Sequence, residues 1–78
     1  MKPLVTEKAV MMIETNNLLT FKMEKEKTKD EIKKEVENLF DVKVERVRTQ
    51  VKNNKKLAYV KLKKEFPAID VATKLGII

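Results

Sequence analysis

The chain has no cysteine, histidine, serine or tryptophan, one glycine, two prolines and one tyrosine. Each absence removes a class of chemistry. Without cysteine there is no disulfide framework and no thiolate metal site, which fits a reducing, intracellular compartment. Without His, Cys and Ser the usual nucleophiles, the usual proton shuttle and the best zinc ligands are gone. The lone Gly76 cannot build a phosphate loop or a dinucleotide fingerprint. Carboxylates are plentiful, but each sits beside a lysine or on a solvated face, and nothing suggests a buried acid pair. Neither enzyme activity, nor a metal site, nor a cofactor is expected. No apolar run approaches the length of a membrane span, and no signal peptide is visible.

Charge is what the sequence has in quantity. Its 78 residues carry 18 Lys/Arg against 12 Asp/Glu, a net +6. That length predicts one domain over residues 1–78 with one modest core. The excess is local. Between residues 42 and 64, nine basic residues (Lys43, Arg46, Arg48, Lys52, Lys55, Lys56, Lys61, Lys63, Lys64) oppose one acid, Glu45, a net +8. With +6 in total, the remainder of the chain sums to −2. A gathered basic patch is the footprint of a polyanion partner. The plainer reading is a sheet edge kept lysine-rich against aggregation. Lysine alone would serve that purpose, whereas Arg46 and Arg48 flanking Tyr59 look like a platform for phosphate and base.

The same stretch reads as a β-hairpin. Asn53-Asn54 supply the turn, because Asn tolerates the positive φ of tight hairpin turns. A two-residue loop sets Arg48 opposite Tyr59 and Val47 opposite Val60. Alternation then sorts Val47, Thr49, Val51, Ala58, Val60 and Leu62 onto one face. Arg46, Arg48, Gln50, Lys52, Lys55, Leu57, Tyr59, Lys61 and Lys63 fall on the other. Val42 and Val44 have the wrong parity for the apolar face, so a β-bulge near Glu45-Arg46 is expected.

Upstream, Lys2–Val5 reads as a short edge strand that tolerates Pro3. Thr6 caps a helix with Glu7 in its first turn. Ala9, Val10 and Ile13 face inward, while Met11 and Met12 widen the apolar stripe, either as core filler or as a protein contact. Asn16-Asn17 break this helix. In Leu18–Glu24, Leu19, Phe21 and Met23 alternate towards a core. Thr28–Phe40 opens with a capping box, Thr28 and Glu31, and carries an inward stripe of Ile32, Val36, Leu39 and Phe40. Asp41 ends it in a left-handed conformation that Gly would adopt more easily. Pro67 starts a last helix with Ala68, Val71, Ala72 and Leu75 inward, stopped by Gly76. The apolar tail Ile77-Ile78 is either tucked in or, with Met11 and Met12, offered to a protein. The fold class is α+β: a mainly antiparallel sheet of three to four strands in the order 1-2-4-3, covered by helices.

Two binding readings follow. One is an RNA-binding protein. An RNA-recognition motif needs two or three aromatics on its central strands, and KKLAYVKL offers only Tyr59, so structured RNA met through phosphates and shape is the better expectation. The other is a small interaction module whose basic face meets an acidic protein. Sensitivity of the captured partner to ribonuclease separates them.

Several segments together carry a family resemblance. Residues 2–10, KPLVTEKAV, resemble the opening signature of the large-subunit ribosomal protein family L-twenty-three. Residues 28–49, TKDEIKKEVENLFDVKVERVRT, resemble its second signature. Residues 55–62, KKLAYVKL, are similar to its closing hairpin strand, and AIDVATKLGI looks like the archaeal-type ending. The resemblance implies a cytoplasmic, ribosomal location and a helix-covered sheet bound to large-subunit ribosomal RNA near the polypeptide tunnel exit. It implies an L-twenty-nine family neighbour and docking of the signal recognition particle, the protein-conducting channel and, in bacteria, trigger factor. By matching position it places Thr6, Glu7 and Lys8 near RNA, and likewise Lys29 and Lys33. Arg48 and Thr49 stand where the family often has Asn, and Asp41 replaces the usual Gly. Asn53-Asn54 stand in place of the long bacterial hairpin loop, so no tunnel-lining extension is expected. The RNA contacts expected on the hairpin are Arg46, Arg48, Lys52, Asn53, Asn54, Lys55, Lys56, Tyr59, Lys61 and Lys63.

Overall fold

A computed structural model describes residues 2–23, 27–52 and 55–77, with the backbone alone at Lys52. The elements run β1 (Lys2–Pro3), α1 (Glu7–Asn16), β2 (Leu18–Met23), α2 (Lys29–Phe40), β3 (Val44–Lys52), β4 (Lys55–Leu62) and α3 (Ala68–Leu75). The four strands form one antiparallel sheet ordered β1-β2-β4-β3. The α+β class and the strand order match the expectation. β1 stops at Pro3, short of the expected Val5, whose side chain is exposed. The turn expected at Asn53-Asn54 lies outside the described residues, as does Glu24.

Local chemistry accounts for the helix ends. Thr6 Oγ1 accepts the Ala9 N–H at 3.1 Å and caps α1. At α2 the capping box is reciprocal: Thr28 Oγ1 accepts from Glu31 N (3.2 Å), and Glu31 Oε1 accepts from Thr28 N (3.4 Å). Asn17, Asp41 and Gly76 close the three helices with φ of 53°, 53° and 76°. That left-handed region is open to Gly and tolerable for Asn and Asp. Pro67 stands just before α3 as its cap rather than inside its first turn. Its missing side-chain cap is replaced from a distance, because Asn17 Oδ1 accepts the Ala68 N–H at 2.6 Å.

The core lies on one side of the sheet. Leu19, Phe21 and Met23 of β2, Val44 of β3 and Ala58, Val60 and Leu62 of β4 are buried against Ile13, Ile32, Val36, Ala68, Val71 and Ala72. The expected bulge is present: Val44 pairs with Leu62 and Arg46 with Lys61, a register shift of one residue. The shift returns Val44 to the core at 1% exposure and lets Val42 pack against it. Glu37 Oε2 accepts the Val44 N–H at 2.9 Å at this irregular point.

Leu39, expected to point inward, and Val51, expected on the apolar face, are both exposed. Leu39 is 62% accessible, because the last turn of α2 gives Phe40 to the sheet instead, stacked on Phe21 with ring centroids 6.3 Å apart. Val51 is 73% accessible. It pairs with Lys56, beyond Ala58, where the core cluster ends along the hairpin.

Candidate nucleic-acid interface

Strand alternation dictates what the uncovered face of the sheet displays. Three rows cross β2, β4 and β3 in register: Leu18–Lys61–Arg46, Thr20–Tyr59–Arg48 and Lys22–Leu57–Gln50. No carboxylate occurs in these rows. Arg46, Arg48 and Gln50 are exposed, and Leu57, Tyr59 and Lys61 are half-buried. Lys55, exposed and paired with the Lys52 backbone, continues the set at one end of β4, and the exposed Lys63 follows its other end. Directly opposed side chains on neighbouring strands stand about 4.5–5.5 Å apart at Cβ, and like charges so placed repel. Arg46 beside Lys61 is therefore unfavourable in isolation and would be relieved by an anion. Tyr59 Oη donates to Gln50 Oε1 at 3.1 Å, which ties the ring to β3.

Helix α1 borders this face. Thr6, Lys8 and Met12 line a shallow hollow together with Thr20 and Tyr59. A second hollow lies beside it, bounded by Met12, Leu18, Arg48, Gln50 and Tyr59. Thr20 is 5% exposed, and its hydroxyl has no hydrogen-bond partner among the described residues.

The expected contact residues divide into three groups. Arg46, Arg48, Lys55, Tyr59 and Lys61 share the uncovered face, Lys63 is exposed just past the end of β4, and Thr6 and Lys8 reach the margin of the face. The Thr6 hydroxyl is already occupied by its capping bond, and Glu7 is exposed in the first turn of α1. Lys29 and Lys33 are exposed on α2, on the helical side of the sheet. Lys56 also belongs to that side: it stands opposite Val51 and Met23, and its Nζ donates to the Lys27 carbonyl at 2.8 Å. Lys27 itself pairs with Glu35 at 2.7 Å. The Lys52 side chain, Asn53 and Asn54 lie outside the described residues.

Among the suggested protein contacts, Met11 is 56% exposed, Met12 is half-buried at the hollows, and Ile77 packs partly against the core. Ile78 lies outside the described residues. Sequence reasoning did not single out Thr20 or Leu18 for the site. The alternation of LLTFKME already set both on the face away from the core, and the strand order brings Thr20 beside Tyr59.

Among the described residues no group of three or more potential ligands is placed to hold a metal ion, and no helix is long and apolar enough to cross a membrane.

The sequence profile of the ribosomal protein L23 family matches residues 1–65. The chain belongs to the ribosomal protein L23 family. It is also 50% identical to the large ribosomal subunit protein uL23 of the archaeon Methanothermobacter thermautotrophicus, in a match that covers 99% of this chain and 91% of that relative. As an L23-family member it is a structural constituent of the large ribosomal subunit, found in the ribosome in the cytoplasm. RNA binding is typical of the L23 family, which is a family of structural proteins rather than enzymes.

Proposed function

We propose that the chain binds large-subunit ribosomal RNA through the uncovered face of the β3–β4 hairpin. Within the subunit, its remaining surface contributes to the docking surface at the polypeptide tunnel exit, beside an L-twenty-nine family neighbour. The observation that carries the RNA reading is the set of three rows around Tyr59, which gather Arg46, Arg48 and Lys61 and hold no carboxylate. Opposed cations on neighbouring strands suit a phosphate backbone held at fixed register. The exit-site reading rests on the family signatures. The signal recognition particle and the protein-conducting channel are the factors those signatures imply.

Arg46→Glu combined with Arg48→Glu tests the RNA reading, because both residues are exposed and outside the core. Each neutralised phosphate steepens the fall of log affinity with log salt by about 0.7–0.9. The double variant should bind the RNA at least about tenfold more weakly, with a slope shallower by roughly 1.4–1.8. Filter binding across a salt series measures both, and circular dichroism checks the fold. Unchanged affinity and slope would overturn the assignment.

A further inference from the structure

The proposed RNA face is cationic at its edges but not at its middle. Leu57 and Tyr59 stand half-buried there, between Arg48 and Gln50 on β3 and Thr20 and Lys22 on β2. Apolar and aromatic surface offers nothing to a phosphate oxygen, so a face that met phosphates alone would need no such floor. The two hollows adjoin at Tyr59, and Met12 lines both. One extends past Lys8 and Thr20, the other past Leu18 to Arg48 and Gln50. The Thr20 hydroxyl is buried without a partner among the described residues, where buried polar groups are normally paired. The bond from Tyr59 to Gln50 Oε1 leaves the Gln50 amide nitrogen as a donor, and Arg48 lines the same hollow.

We infer that these joined hollows hold one unpaired nucleotide of the ribosomal RNA. Its base stacks on Tyr59 against Met12, Arg48 and Gln50 meet the base edge, and Lys8 meets the phosphate. RNA-binding proteins commonly read bases displaced from a helix in this way, by stacking on an aromatic or guanidinium plane. Charge complementarity selects a nucleotide over an apolar peptide, because the walls are lined by Lys8 and Arg48 and no carboxylate. One nucleotide is specified rather than a strand, because Tyr59 is the only aromatic on this face among the described residues. The inference rests on the RNA-binding reading of the face and narrows it to a base contact. It also gives Met12 an RNA role in place of a protein contact.

The full chain bound to deproteinised large-subunit ribosomal RNA provides the test. After short-wavelength ultraviolet irradiation, nuclease and trypsin, mass spectrometry should find a nucleotide adduct on the peptide Leu57–Lys61. Tyr59→Leu should weaken binding about tenfold, as expected for a lost base stack. It should leave the salt slope unchanged, since no charge is removed. Tyr59→Phe keeps the ring and should stay within about threefold of the unmodified protein. No adduct together with an unaffected Tyr59→Leu would overturn the nucleotide site, yet a loss with the Arg46 and Arg48 reversals would leave the wider RNA reading standing. If the reversals are silent as well, both readings fall. Equal weakening by Tyr59→Leu and Tyr59→Phe would show that the hydroxyl matters rather than the ring, and would also overturn it. If Tyr59→Leu does not fold, the adduct on the unmodified chain decides: its presence supports the site and its absence overturns it.

Discussion

Asn17 does more in this fold than its place at the end of a helix suggests. Its left-handed backbone closes α1, and its carbonyl accepts the Leu62 N–H at 3.1 Å. Its Nδ2 protons are shared among the carbonyls of Leu62, Lys63 and Phe66 at 3.1–3.2 Å, while Oδ1 caps α3. One amide thus fastens the α1–β2 corner to the β4–α3 connection. Asn17→Ala should lower the unfolding free energy by about 3 kcal/mol, from unsatisfied partners and the strained backbone. Asn17→Gly removes the same bonds but not the backbone freedom, so its loss should be smaller by about 1 kcal/mol. Urea denaturation followed by circular dichroism measures both, and full stability in Asn17→Gly would show that the side-chain bonds contribute nothing. The sequence made the helix break at Asn17 legible. It could not show the clamp, because the partners lie 45–51 residues away.

At the scale of elements, α2 shows where periodicity informs and where it stops. The Thr28–Glu31 box and the positions of Ile32 and Val36 followed from spacing alone. Spacing also pointed Leu39 inward, but it carries no information on where the sheet ends beneath the last turn. Ile32→Ala should cost roughly 3 kcal/mol, as expected for emptying a fully buried site. Leu39→Ala should cost under about 0.5 kcal/mol, as at an exposed position. Thermal unfolding of the two variants checks this, and comparable losses would contradict the exposure of Leu39. Val51 lies on the face that alternation assigns it but is uncovered there, since alternation fixes a side chain's face and not whether anything packs on it. The bulge was legible because two valines of the wrong parity demanded it.

Across the whole molecule, α2, α3 and the core occupy one side of the sheet and the cationic rows the other. Strand order and the basic face could be read in advance. The sides taken by Lys29 and Lys33 could not, because a place in a motif does not specify a direction in space, whereas the pairing of Lys56 with Val51 already set it on the apolar face. Lys29→Glu with Lys33→Glu should therefore weaken binding to the ribosomal RNA less than the Arg46 and Arg48 reversals do, in the same salt series. Equal losses would mean that RNA embraces both layers. One margin of the sheet carries a further consequence. β3 ends the strand order on one side, whereas the opposite margin is occupied by only two residues of β1 with α1 packed along β2. A foreign strand extending the sheet would thus have β3 as its long template. The irregular amide spacing between Val44 and Arg46 would confine that annealing to Val47–Lys52, and the bulge thereby sets an upper length on any such splice.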